Sequence, residues 1–502
     1  NSHLAEISRH QYSPPAPMGL MPTCFLLKTN RGISMIRKHF AGFTASALAL
    51  AISAQASAGT VTTDGTDLVI KTKSGLEVAT VDKQYSFKLG GRIQADFNQF
   101  DGFYTANNSS ANEAYFRRAI LELSGNYKDW RYVFNYDFAD GQASNGVSSS
   151  TETTNWDEAT IAYTGFAPVV IKGGRFDPDF GLQHATSSKW ITTMERTAIY
   201  DLAPWVNNKL DDMGVQVSAA TGGNLYGSAG IFQQEASGGE LESNNGMDVN
   251  SLVARGVFAP IVAETEVLHF GVDLAQRNYD DNKFQGSITS NLGARGISED
   301  STLNTPSPIL AKTATNRYYN DDSVYGLEFA YMTGPLSFEA EYLNRTLEGQ
   351  DTNGDRTASG YTAQVAYTLT GESRAYKLDG GKFDAIKPAN KETGAWEIFY
   401  RFDHVGVEDD DNLQGSALNT VNAIDESSAD VSTLGVNWYA NEAVKIALNY
   451  SYVSADSDTL SLQTGLNSNN TANTTLNARN QADSKATDKN GSSIALRAQY
   501  VF

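Results

Sequence analysis

The sequence predicts an all-β fold: a transmembrane antiparallel β-barrel of about 16 strands with an inward-folded constriction loop. Three observations carry that reading. Apolar residues recur with a period of two, in segments of about ten residues, the length a tilted strand needs to cross a bilayer. The alternate positions carry charges of both signs, which suits a water-filled interior better than a packed core. Short turns and long polar connections take turns along the chain, as hairpins of unequal ends require.

The elements follow in order. Met35 opens a basic stretch, Ile36-Arg37-Lys38-His39, followed by an apolar run from Phe40 to Ile52 and a small-residue end, Ala56-Ser57-Ala58. This is the pattern of a secretory signal peptide over 35–58, with Gly59 as the first mature residue. The apolar run is too short for a membrane anchor. Residues 1–34 precede Met35 and are expected not to be translated. Residues 59–83 are expected to be a periplasmic N-terminal segment, and 84–502 the barrel. The chain has 38 Lys+Arg and 58 Asp+Glu. Without the five basic residues and one acid of 1–58, 33 face 57, a net charge of −24. Such a surface is wrong for nucleic acid. An aromatic content of 11% argues against disorder. The single cysteine, Cys24, lies before residue 59, so no disulfide can brace the exported chain. A sheet closed on itself pairs its backbone without one.

The first strand, 84–98, sets Tyr85, Phe87, Leu89, Ile93, Ala95 and Phe97 against Ser86, Lys88, Arg92, Gln94, Asp96 and Asn98. Strand 114–125 follows. Strand 129–139 sets Trp130, Tyr132, Phe134, Tyr136 and Phe138 against Arg131, Asn135 and Asp137. Next come 156–164, 168–176, 211–219, 224–233, 250–259, 265–275, 321–332, 336–346, 358–370, 394–404 and 430–439. Strand 443–454 alternates Val444, Ile446, Leu448, Tyr450 and Tyr452 with Lys445, Asn449 and Ser451. The last strand, 491–502, ends on Phe502, an aromatic on the apolar face. A soluble sandwich would alternate too. Segment length, aromatic residues crowded at segment ends and a polar face of mixed charge favour the barrel. Sixteen strands leave room for an aqueous channel, so a pore is the default function. Turns 124–128, 333–335 and 440–442 would be periplasmic. Segments 99–113, 140–155, 177–210, 234–249, 276–320, 347–357, 405–429 and 455–490 would be external. The connection 371–393 breaks the pattern, being long on the short-turn side.

Loop 177–210 contains Phe180, Leu182, Trp190, Ile191, Tyr200 and Trp205, which an external loop does not need. Folded against the inner wall, it would bury them and narrow the pore. Basic residues point to the same region. Arg92, Arg118 and Arg131 lie on polar faces of early strands, Lys172 and Arg175 on the fifth, and Lys189 and Arg196 in the loop. Positive side chains at a narrow, low-dielectric constriction select anions. The planar fork of arginine suits phosphate. The competing reading is that these cations only neutralise lumen acids such as Asp137 and Asp157. Catalytic patterns are sparse. Beyond residue 58 the histidines are His184, His269 and His404. Gly380-Gly381-Lys382 lacks the upstream glycine of a phosphate-binding loop. Asp351, Asn353 and Asp355 have calcium-loop spacing, but Arg356 stands where glycine is required and Thr362 where the closing glutamate should be. His269 reads as a girdle or lumen residue. No metal or cofactor is implied. A barrel hydrolase and an adhesin built on the loops are the competing classes.

The residues also resemble a known family. Ser86-Phe87-Lys88-Leu89-Gly90-Gly91-Arg92, Ala114-Tyr115-Phe116-Arg117-Arg118-Ala119, Ala185-Thr186-Ser187-Ser188-Lys189-Trp190 and Gly435 to Lys445 resemble the phosphate-selective porin O/P family. The likeness runs from Gly59 to Phe502. It implies a trimeric, sixteen-stranded channel of the bacterial outer membrane, set in lipid. Such a channel passes phosphate or pyrophosphate down a ladder of basic residues. The family's basic positions match at Lys71, Lys73, Lys83, Lys88, Arg92, Arg117, Arg118, Lys172, Lys189 and Arg196, with Arg131 where the family has lysine. Ser187, Ser188 and Asp157 match its central site, where Asp157 could accept the protonated oxygen of monohydrogen phosphate. There are departures. His184 replaces a central lysine and substitutes a charge that ordinarily titrates near neutrality. Phe284 to Asn291 lacks the family's arginines, although Arg295 is kept. Asp177 stands where the phosphate-preferring type has tyrosine and looks like the pyrophosphate-preferring type. Ile120 replaces an aromatic residue and would widen the constriction.

Overall fold

Burial in this protein is inverted relative to a soluble domain. In the computed structural model Leu434 is 59% exposed whereas Arg345 is 0% exposed. Arg356, Arg401, Asp322 and Asp403 are likewise fully enclosed, while Ile93, Ile231, Leu274 and Tyr450 point outward. Apolar side chains facing out and charged ones facing in are what a barrel in lipid demands. The structure describes residues 59–63, 66–72, 75–104, 111–139, 156–206, 213–234, 241–242, 249–278, 283–284, 288–290, 292–295, 309–311, 319–349, 354–409, 426–456 and 490–502. The expected signal peptide, the segment before it, loop 140–155, Lys73, Asp351 and Asn353 lie outside the described residues, as do the central parts of several other external loops.

The barrel strands are Tyr85–Gly102, Ala111–Tyr127, Trp130–Asp137, Trp156–Phe166, Val169–Arg175, Met213–Thr221, Leu225–Gln234 and Val249–Val262. Then come Glu266–Asn278, Tyr319–Thr333, Leu336–Gly349, Arg356–Thr368, Ala395–Asp409, Glu426–Tyr439, Val444–Ala455 and Asn490–Val501. Each pairs antiparallel with its neighbours. The last pairs with the first, Leu496 opposite Phe97, and closes the sheet. All sixteen expected strands form. Several run past the ends their alternation marks: the first continues to Gly102 and the thirteenth to Asp409. The backbone ladder sustains a strand beyond the lipid, where the outer face no longer has to be apolar.

Three short strands precede the barrel: Gly59–Thr63, Thr66–Lys71 and Leu76–Thr80. The third pairs with the start of the first barrel strand, Glu77 opposite Lys88. It does so just where the last strand ends, since Gly91 and Phe502 exchange backbone hydrogen bonds of 2.8 and 3.1 Å. The N-terminal segment therefore continues the sheet where the C-terminal strand leaves an edge.

Residues 177–206 fold into the lumen. Phe180, Ile199, Leu202, Trp205 and Val206 pack on inward-facing Val324, Leu343, Leu347, Val405, Val407 and Val431. The inner wall is apolar where this loop covers it. A buried segment without ladder partners must satisfy its carbonyls elsewhere. Wall side chains do this almost residue by residue. Gln94 donates to Ser188 O at 3.3 Å, Gln499 to Lys189 O at 3.1 Å and Lys445 to Ile191 O at 2.8 Å. Asn437 donates to Thr192 O at 2.7 Å, Arg497 to Met194 O, Arg401 to Glu195 O at 2.8 Å and Arg345 to Leu202 O at 2.8 Å. Glu341 accepts from Leu182 N at 2.8 Å and Gln183 N at 3.2 Å. Gly181 turns with φ +80°, and a Cβ there would stand 2.3 Å from the Tyr200 hydroxyl.

The long connection 371–393 has a structural reason. It forms a hairpin, Arg374–Lys377 with Lys382–Ile386, around the turn Leu378–Gly380, and this hairpin also enters the lumen. Arg255 donates to Gly380 O and Gly381 O at 2.9 Å each. Tyr376 Oη meets His269 Nδ1 at 2.7 Å, and Arg374 pairs with Glu339. Phe383 packs among Leu182, Val267, Ala330 and Met332, so the hairpin supports the turn that opens the loop. His269 is thus a lumen residue, bridging Tyr376 and Glu328 at 2.8 Å. Asp355 caps Gly349 N at 3.0 Å.

Candidate anion site

Register places the site. On the first strand Arg92 faces inward, opposite Ile120 of the second. The same parity brings in Glu122, opposite Gly90, and Arg118, opposite Gln94. A bulge between Gln94 and Ala95 leaves Arg117 without a partner in the ladder. Adjacent strand residues normally face opposite sides, and the extra residue re-aims one of them. Both arginines therefore reach the interior, where Arg117 grips Glu195 of the loop at 2.8 and 3.0 Å. A second irregularity, between Asn135 and Tyr136, makes the register skip Asp157, which stands 3.6 Å from Arg92.

Arg92 is 7% exposed. Its terminal nitrogens stand 3.5 Å from Glu122 and 3.6 Å from Asp157, beyond good hydrogen-bond length. Its Nε has no hydrogen-bond partner among the described residues. It lies within electrostatic reach of Arg118, Lys189 and Arg196. Arg118 donates to Gln94 at 3.1 Å and makes no ion pair among the described residues. Lys189 is tied to both oxygens of Glu122, at 3.0 and 3.1 Å. Arg196 donates to the carbonyls of Gln183, His184 and Thr186 at 3.2 to 3.3 Å. His184, buried in the short helix Leu182–Ala185, sets Nε2 3.6 Å from Asp177. Lys172 lies over the Phe176 ring, 3.8 Å from its centroid, in the field of Glu158, Asp179, Lys382 and Asp177.

Burial lowers the Lys189 ammonium below the ordinary lysine value, with Glu122 opposing. Burial also lowers Arg196, against the pull of Asp177. Burial would raise Glu195, but Arg117 and Arg497 outweigh it and hold the carboxyl well below the usual range. Arg497 bonds Glu195 at 2.6 Å and Asp96 at 2.7 and 2.8 Å.

The structure therefore brings together Arg92, Arg117, Arg118, Asp157, Lys189 and Arg196, with His184, Asp177 and Lys172 adjoining. Ser187 and Ser188 lie in the same loop. The Ser187 hydroxyl accepts from Lys189 N at 3.4 Å, and buried Ser188 offers its carbonyl to Gln94. Arg131 is on the lumen face but apart, exposed beside the turn and opposite Asn126 and Ala162. Glu122 and Glu195 went unread in the sequence. Parity with Arg118 could have found Glu122. Nothing periodic marks Glu195.

A sequence model described as phosphate-selective porin O and P matches residues 87–502. Porin O of Pseudomonas aeruginosa is 48% identical over 476 residues, 93% of this chain and 100% of that protein. Among solved structures, an anion-selective porin from Comamonas acidovorans aligns over 83% of this chain and 100% of its own, at 10% identity and TM-score 0.45. OmpT, an outer membrane protein of Vibrio cholerae, aligns over 84% and 98%, at 9% identity and TM-score 0.46.

Proposed function

The chain belongs to the phosphate-selective porin O and P family, and from that premise we propose that it passes phosphate or pyrophosphate through the Arg92 cluster, as a homotrimer. It is an anion porin of the bacterial outer membrane. Channel function needs no covalent step. The chain's own groups bind, release and hand on the anion. The observation that carries the reading is Arg92: a buried guanidinium with loose carboxylate contacts and an unused Nε. A tetrahedral anion would supply the short, charge-assisted bonds it lacks. Arg118 and Arg196 lie near enough to share the charge, and Asp157, beside Arg92, would accept a hydrogen bond from a protonated phosphate oxygen. Lys172 and Arg131 would carry the anion onward.

A second reading, a general anion porin without a tight site, draws on the tying of Lys189 to Glu122. Chloride current through single channels in a planar bilayer, titrated with phosphate and then pyrophosphate, separates the two. Block at low millimolar concentration or below supports a specific site, and the tighter blocker identifies the preferred anion. Arg92→Ala should weaken block about tenfold or more, the loss of one charged hydrogen-bonding group. An unchanged blocking constant would count against the assignment. Current without block by either anion would leave the general porin.

A further inference from the structure

We propose that His184 and Asp177 form a proton-dependent selectivity element, which makes the constriction more attractive to anions when the imidazole is protonated. The inference rests on the anion-channel reading and specifies how that site is tuned. His184 lies on the first turn of the lumen loop, buried, with Nε2 3.6 Å from Asp177 Oδ2. Its ring meets Tyr200 edge-on, centroids 6.0 Å apart, and its backbone carbonyl accepts from Arg196 at 3.2 Å. The elements packed around it contribute further charged groups. Asp177 comes from the segment that enters the loop, and Arg196 and Tyr200 from the loop's return. Glu341 comes from the wall, where it accepts from Tyr200 and from the helix backbone. Asp273 accepts from Gly181 N at 2.9 Å. Beyond Asp177 lies Lys172, and beyond Arg196 lie Glu195 and Arg92.

The consequence is electrostatic. With a neutral imidazole, the Asp177 carboxylate offsets Arg196 and Lys172, the cations that share its field. A proton on His184 adds one positive charge 3.6 Å from that carboxylate and cancels it. Arg196 and Lys172 then act on a passing anion more strongly, with Glu158 and Asp179 still opposing Lys172 and Glu195 still opposing Arg196. Imidazole is the side chain whose ordinary titration range falls near neutrality, so the change would occur under conditions the outer membrane meets. His184 is buried and Asp177 half-buried, so one unit of charge changes local anion concentration more than it would in open water.

The test is the reversal potential of the full channel in a planar bilayer across a potassium chloride gradient, from about pH 8 to pH 5.5. Chloride keeps its charge throughout, so a pH response belongs to the protein. The expected result is a rise in the anion-to-cation permeability ratio of about five- to tenfold on acidification. In His184→Gln the ratio should stay near its pH 8 value. In Asp177→Asn it should be high at both ends. This second variant removes the acid without touching the buried ring, so the test survives a folding defect in the first. A wild-type ratio that ignores pH, or a wild-type pH curve retained in His184→Gln, overturns the proposal. Phosphate block measured at pH 6 in the same membranes separates the two levels. Intact block with pH-independent selectivity overturns this inference alone. Absent block with pH-dependent selectivity overturns the specific-site reading alone and upholds this inference for a general anion porin.

Discussion

Arg92 and Arg117 have the same side chain and different work. Arg117 is consumed by Glu195, while Arg92 holds no tight partner among the described residues. Alternation makes Arg92 readable as a lumen residue. It places Arg117 on the wrong face, because a bulge is invisible to a period of two. Lys189 offers a test at the same scale. Its ammonium is held below the ordinary value of 10.5, chiefly by burial. The folded site therefore sheds this charge at lower pH than an exposed lysine would. In alkaline solution, where phosphate keeps its divalent charge, block should begin to weaken before that value is reached. Lys189→Arg should retain block to higher pH, because the guanidinium stays charged. Identical alkaline curves for the two proteins would exclude Lys189 from the site.

At the scale of elements, the lumen loop and the inserted hairpin make the constriction. The loop's aromatic content announced that it must be buried. It did not reveal which wall residues hold it. Arg345, Arg401, Lys445 and Arg497 reach in from the wall, and each donates to a loop carbonyl. Arg345, Arg401 and Arg497 are in addition ion-paired to the wall acids Asp322, Asp403 and Asp96, so both their donors and their charge are taken. Arg401 reaches Thr193 Oγ1 at 2.6 Å as well as Glu195 O at 2.8 Å. Arg401→Met should cost about 1.5–3 kcal/mol of loop attachment. Single-channel conductance should rise and phosphate block weaken together. Weaker block at unchanged conductance would show that Arg401 contacts the anion directly.

For the whole molecule, the inverted arrangement of polarity is the stability determinant. Leu434 projects from the outer face between Tyr400 and Tyr450 in the ladder. Leu434→Arg should destabilise the lipid-embedded barrel by about 2 kcal/mol or more. Urea-induced loss of the compact gel mobility in lipid vesicles measures this. An unshifted midpoint would mean that the residue is covered by protein, as at a subunit interface, which would bear on the proposed trimer.

The strand number, the two faces and the basic character of the site follow from the sequence, because a period of two in lipid leaves no other way to satisfy the backbone. The burial of loop 177–206 also follows, from apolar residues that an exposed loop has no reason to carry. Tertiary structure alone decided which cations remain available. That choice depends on bulges at Arg117 and Asp157, on carbonyls in need of donors, and on acids such as Glu122 and Glu195 brought from distant parts of the chain. Pairing between residues far apart in sequence leaves no periodic trace, so charge could be read along the chain, whereas its availability could be read only in space.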